Sequence, residues 1–123
     1  GVGPGTIDLY EELSRAGRYS IRNYVMISDD SATLRRYFAR GPQRALYDGR
    51  LWIRAIKGVA DGALGSRGAA LLEDYADEPG NRGLITTPLE YLQSVAVQAL
   101  RRTHAGSTVT PWRRVSATMV CGA

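Results

Sequence analysis

The sequence predicts an α/β fold built on parallel strands, too short to close into a barrel. Three observations predict it. Helical and extended patterns alternate along the 123 residues, which argues for β-α-β units and a parallel sheet. Two apolar stretches, Tyr24-Val25-Met26-Ile27 and Leu51 to Val59, have the make-up of strands, the first of the kind covered on both faces. A closed eight-stranded β/α barrel needs about 200 residues or more, so this chain holds at most part of one.

Thr6 to Ala16 reads as a helix. Thr6 is an acceptable cap, Asp8, Glu11 and Glu12 suit the positive end of the dipole, Ile7, Leu9, Tyr10 and Leu13 form a buried side, and Gly17 stops it. Ile21 to Ser28 reads as the first strand. Ser28-Asp29-Asp30-Ser31 is a turn rich in caps, and the helix after it runs to about Ala39 with Leu34, Tyr37 and Phe38 inward and Arg35 and Arg36 outward. Gly41-Pro42 ends that helix. Asp48-Gly49 is a turn, and Leu51 to Val59 is the second strand. Residues 60–86 break the pattern with five glycines, and only Ala69 to Tyr75 looks briefly helical. So long a connection is uncommon in a compact domain and is more often functional or disordered. Thr87-Pro88-Leu89-Glu90 reads as a capping box with Pro88 at the first helical position. Leu89, Leu92, Ala96 and Ala99 then share one helix face, and Gly106 closes the helix. Thr108 to Thr110 is a weak strand cut by Pro111.

Composition narrows the function classes. The chain is 44% hydrophobic and 23% charged, so it is neither disordered nor membranous by composition. Its single cysteine, Cys121, excludes a disulfide scaffold. No run of about 18 apolar residues could span a bilayer, and the first residues lack the pattern of a signal peptide, so the expected location is cytoplasmic, without a membrane partner. The chain does not begin with Met, which suggests a processed chain or a piece of a longer one. Sixteen basic against twelve acidic residues give a net charge of +4. Up to Thr87 the signs alternate, with Asp8, Glu11 and Glu12 set against Arg15 and Arg18, and Asp29 and Asp30 against Arg35 and Arg36. The excess sits after Glu90, at Arg101, Arg102, Arg113 and Arg114, where a solvated terminus is the simpler reading. Nucleic acid ranks last among partners, because only Trp112 could serve there as a stacking platform.

Three features could carry chemistry. Lys57 lies in an apolar stretch at the carboxyl end of the second strand, where parallel sheets place ligands. Burial there would favour its neutral amine, as base, nucleophile or carbamate former; a lysine that snorkels out of a strand end is the plainer alternative. The following loop carries Asp61, Gly62, Gly65, Ser66, Arg67 and Gly68. Its evenly spaced glycines would let backbone approach a ligand, Asp61 could orient a donor, and Arg67 could clamp an anion; a flexible connector is the alternative. The loop lacks the ending of a P-loop and the spacing of a dinucleotide fingerprint. His104, the only histidine, stands at a helix end and reads as structural. One histidine and one distant cysteine make no conventional zinc site.

Taken together, the opening Gly1-Val2-Gly3-Pro4-Gly5-Thr6-Ile7-Asp8-Leu9-Tyr10, the stretch Lys57-Gly58-Val59-Ala60-Asp61-Gly62-Ala63-Leu64-Gly65-Ser66-Arg67 and its sequel Asp77-Glu78-Pro79-Gly80-Asn81-Arg82-Gly83 resemble the middle of metal-dependent amidohydrolases, in the subgroup of N-substituted formamide deformylase. The resemblance covers residues 1–106 and leaves 107–123 as a divergent basic tail. It implies a fragment of a β/α (TIM-type) barrel with parallel strands. It also implies a divalent metal, zinc by expectation, hydrolysis of carbon–nitrogen amide-type bonds in a small-molecule substrate, and a carboxylated lysine at the position of Lys57. Asp61, Gly62, Gly65, Ser66 and Arg67 would form a loop over the substrate. The family's His-x-His pair and its aspartate base have no counterparts here, and its later histidine position falls near Trp112. Gly58 and Val59 stand where bulkier apolar residues are usual, which would loosen packing around Lys57. The expectation is a fragment inactive alone; the alternative is a non-enzymatic module that self-associates through open sheet edges.

Overall fold

The structure is a computed structural model. It describes residues 1–104 and 114–118, with the side chains of residues 1–101. The first helix, α1, is Pro4–Arg15. It starts on Pro4, whose missing N–H is no loss in a first turn, behind an extended Gly3 that offers no side-chain cap. Thr6 therefore lies inside the helix rather than at its cap. Gly17 takes the left-handed conformation (φ +68°) that ends the helix. Ile7 is buried as predicted, but Leu9 is exposed and the second buried residue is Glu11. Glu11 pairs there with Arg15 at 2.8 Å and, from the next helix, with Arg40 at 3.5 Å.

Strand β1 is Asn23–Ser28. Val25 and Ile27 are buried whereas Tyr24 is exposed, so the strand is covered on one face and not on both. Helix α2, Ser31–Arg40, is capped by Asp30, whose carboxylate accepts from the amides of Ala32 and Thr33 at 3.1 and 2.9 Å. Asp30 is thus used on backbone and not on Arg35, and Arg36 pairs with Asp8 of α1. Leu34, Tyr37 and Phe38 face the core as predicted.

Strand β2, Gln43–Ala45, had no clear sequence signal and is antiparallel to its neighbour. A single turn, α3 (Leu46–Gly49), follows with Tyr47 and Asp48 left-handed. Strand β3, Leu51–Val59, has the predicted bounds and is the centre of the sheet. β1 lies parallel along one edge. The other edge is shared by β2, which pairs at Ile53, and by β4, Arg114–Thr118, which runs parallel from Ala55 to Val59. Part of the expected solvated tail is therefore sheet. The weak strand expected at Thr108 to Thr110, together with Gly106, Trp112 and Cys121, lies outside the described residues.

Beyond β1, Val2 makes an isolated parallel bridge with Ile27, its amide donating to Met26 at 2.9 Å. The parallel segments thus stand side by side in chain order: Val2, β1, β3, β4. Helix α1 connects the first pair, α2 the second, and α4 (Leu89–His104) the third. Leu92, Val95 and Ala99 form the buried side of α4; Leu89 is exposed, so the face is turned from the one predicted. The amide of Thr87 donates to the Ala60 carbonyl at 3.2 Å, which takes the group that a capping box would have offered to Glu90. Ile7, Val25, Ile27, Leu34, Tyr37, Phe38, Leu51, Ile53, Ile56, Val95 and Ala99 make one core between the sheet and its helices.

Residues 60–86 are neither loose nor helical at Ala69 to Tyr75; their only helical turn is the 3-10 turn Leu64–Ser66. The ends of this excursion are clamped. Thr86 and Thr87 both donate to the Ala60 carbonyl, and Asp61 bridges Ile85. No helix among the described residues is long and apolar enough to cross a membrane.

Candidate functional site

An extra residue in β3 decides what the site can be. Val25 is in register with Ile53, but Met26 is in register with Ala55, so Arg54 has no counterpart on β1. Side chains alternate strictly along a strand, and one inserted residue moves everything after it to the opposite face. Without the bulge Lys57 would share the helix-covered face with Leu51 and Ile53. With it, Ile56 joins Ile27 in the core, and Lys57 joins Ser28 on the open face. The apolar run that made Lys57 look enclosed belongs to the other side of the sheet.

At this level β3 is parallel to both neighbours, with Ser28 on one side and Ser116 on the other in register with Lys57. Lys57 is half-buried, and its ammonium makes no hydrogen bond or ion pair among the described residues. Gly58 points the opposite way. A Cβ built there would lie 2.8 Å from Leu92 Cδ2 and 3.3 Å from an Asp29 carboxylate oxygen. Leu92 of α4 fills the space that a bulkier residue would take, so Gly58 tightens this region rather than loosening it. Asp29 was not singled out in the sequence as a residue of this region. Its place at the carboxyl end of β1, beside that of β3, was the available signal. Its carbonyl accepts from the Tyr91 hydroxyl, whose pKa is raised by burial and by Asp29 itself.

The loop residues singled out from sequence bond mainly to one another. Asp61 is 3% exposed; one carboxylate oxygen accepts from the Ala70 amide at 3.0 Å and the other has no partner among the described residues. Gly62 and Gly68 are pressed together, for a Cβ on Gly62 would lie 2.7 Å from the Gly68 carbonyl, and the Gly62 amide donates to that carbonyl at 3.1 Å. Gly65 has open space around it. Ser66 donates to the Ala63 carbonyl at 3.2 Å. Arg67 holds Asp77 at 2.7 Å and Glu78 at 3.4 Å, so in this arrangement its guanidinium clamps acids of its own loop. That contact also holds the Asp77 carboxyl below the usual carboxylate range. These close approaches serve the packing of the loop on itself. The side chain of His104 lies outside the description.

The residues present do not make a metal centre by themselves: among the described residues no group of three or more His, Cys, Asp or Glu could hold a metal ion. A cleft lies elsewhere among the described residues. It measures about 390 Å³ and is lined by Arg22, Asn23, Tyr24, Trp52 and Arg54, at the amino ends of β1 and β3.

Two solved structures are similar to this chain. One is an uncharacterized metal-dependent hydrolase from Pyrococcus furiosus, with a TM-score of 0.69 and 27% identity over 83% of this chain. The other is an uncharacterized metal-dependent hydrolase from Pyrococcus horikoshii OT3, with a TM-score of 0.71 and 26% identity over 84% of this chain. The chain spans 21% of the length of each. No family model and no curated protein matches it.

Proposed function

We propose that this chain is an arc of the β/α barrel of a metal-dependent hydrolase acting on carbon–nitrogen, amide-type bonds, similar in kind to N-substituted formamide deformylase. The observation that carries this reading is the position of Lys57: the carboxyl end of a central parallel strand, on the face opposite the core that the described helices cover. A barrel keeps its helices outside and its chemistry at the carboxyl ends of its strands. The order Val2, β1, β3, β4, each beside its predecessor, supports an arc of a barrel over a doubly wound sheet, whose order reverses at a switch point. The two similar hydrolases support the metal dependence of the parent protein.

In this reading the Lys57 nitrogen, once it has given up its ammonium proton, takes up CO₂. An N–C bond forms, one proton leaves to water, and the resulting carbamate offers two hard oxygens to a divalent ion. Such an ion, when bound, polarises a substrate carbonyl and makes a nucleophile of water. The remaining ligands belong to the other four-fifths of such a protein, so the chain alone is expected to show no turnover. Lys57 is the only lysine, so its carbamate has to be told apart only from that of the Gly1 α-amine, which Lys57→Arg leaves in place. With zinc and ¹³C-bicarbonate, a carbamate carbon resonance should appear and be lost in Lys57→Arg; no such resonance in the unaltered chain overturns the role of Lys57. An amide panel with added zinc or manganese tests the inactivity, and robust turnover abolished by Lys57→Ala overturns it. The outer edge of β4, which pairs only with β3 among the described residues, supports a second reading as a self-associating module. A strict monomer in size-exclusion chromatography at high concentration counts against that reading.

A further inference from the structure

The bulge residue is aimed at something. Arg54 stands outside the β1–β3 register, and its guanidinium carbon lies 5.6 Å from the ring centre of Tyr24 and 5.3 Å from that of Trp52. Its Nε donates to the Tyr24 hydroxyl at 3.3 Å. Trp52 is itself pinned, its indole N–H donating to the Gly49 carbonyl at 3.1 Å. Two rings and one hydrogen bond thus hold the guanidinium in place, while its terminal nitrogens have no acceptor among the described residues. Arg22, exposed and without a bond or ion pair among the described residues, lines the same cleft with Asn23. No carboxylate among the described residues lines it. Asp48 lines an adjoining cavity of about 210 Å³ with Ser20, Arg22 and Arg50, and forms no ion pair among the described residues.

We propose that this cleft binds a small aromatic anion: a planar ring carrying a phosphate or a carboxylate. Two unopposed guanidinium groups select the charge, since their forked donors match both oxyanions. The aromatic faces of Trp52 and Tyr24 select the ring, by offset or edge-to-face packing. The site lies at the opposite end of the strands from Lys57 and uses none of the residues assigned to hydrolysis, so its test on this chain reads independently of the carbamate test. The bulge supplies its geometry, because it frees one arginine from the ladder at the level of two aromatic side chains.

The test uses the full chain in a Trp112→Phe background, where Trp52 is the only remaining indole. Binding is followed by Trp52 fluorescence and by calorimetry. The probes are phenyl phosphate, benzoate, inorganic phosphate, which has no ring, and benzamide, which has no charge. At least one ring-bearing anion should bind saturably, weaken with added salt, and bind about tenfold or more tighter than both controls. The tighter of the two anions identifies the charged group. Arg54→Gln should weaken that binding about tenfold, the scale of one charge-assisted hydrogen bond, and Arg22→Gln should do likewise. Arg22 has no structural partner among the described residues, so its variant keeps the test sound if Arg54→Gln unfolds, which circular dichroism shows. Absence of saturable binding, benzamide binding as well as benzoate, or an affinity indifferent to Arg22→Gln overturns the proposal.

Discussion

The two faces of this sheet are made from the same strands and differ in almost everything else. On the covered face, Val25, Ile27, Leu51, Ile53 and Ile56 are all within 1% of complete burial and pack with α1, α2 and α4. On the open face Tyr24 is 46% exposed, and Met26, Trp52, Arg54 and Lys57 are half-buried. One side holds the fold together, and the other carries the side chains with donors, charge and rings. The comparison breaks most visibly through stability. Ile53→Ala should cost about 2–5 kcal/mol, the price of a cavity in a close-packed core. Met26→Ala on the open face should cost clearly less, about 1 kcal/mol. Equal losses in urea denaturation would mean that the faces are wrongly assigned.

A second contrast lies inside the excursion of residues 60–86. Gly83 is left-handed (φ +71°), and a Cβ there would sit 2.0 Å from the Ala69 carbonyl oxygen. Gly65 has ordinary backbone geometry and nothing near it. Gly83→Ala should therefore destabilise by about 1–3 kcal/mol and open the loop to protease, through both strain and a backbone clash. Gly65→Ala should leave nicking and melting unchanged. If the two variants behave alike, the loop is not packed in this way.

Much of this could be read from the sequence, for physical reasons that also mark where reading stops. The bounds of β3 and the inward set Leu34, Tyr37 and Phe38 follow from periodicity, which is local. β2 did not, because its pairing with Ile53 is a tertiary event on a three-residue segment. The face of Lys57 did not either. A bulge is defined by the partner strand, and nothing in Ile53-Arg54-Ala55 shows that Met26 will skip a residue. The loop glycines were seen but their purpose was not. Glycines that admit a ligand and glycines that admit another strand of backbone look identical in sequence. Asp30 and Asp29 were both visible as acids, yet only the fold separates the helix cap from the carboxylate beside Gly58.

The loop also differs from the core in its response to acid. Arg82 holds the Asp74 carboxyl below its ordinary value of 3.8, and Arg67 does the same for Asp77. A carboxyl depressed in the folded state stabilises above its unfolded pKa, and loses that contribution as pH falls through the lower folded value. Both pairs are exposed, so the effect is small and weakens with salt. Hydrogen exchange, corrected for intrinsic rates, should show residues 60–86 loosening below about pH 4 while the amides of β1 and β3 stay protected. Asp77→Asn should remove the Arg67 share of that pH dependence. A core that loosens in step with the loop would show that the two are one cooperative unit.

The smallest expected effect sharpens the contrast most. Lys57 and Ile56 are neighbours in sequence, yet the bulge sends one to the open face and the other to the core. A lysine enclosed among apolar side chains without a partner would be costly, and replacing it with an apolar residue of similar length would stabilise the fold markedly. A lysine on an open face keeps its ammonium hydrated while its stem covers the sheet, so the same replacement changes little. Lys57→Met should accordingly shift the unfolding free energy by no more than about 0.5 kcal/mol in either direction. It should leave the cleft of Trp52 and Arg54 intact while abolishing the carbamate signal of Lys57. Stabilisation well beyond that range would place the amine inside the covered layer, and the phase of β3 after Arg54 would have to be reversed.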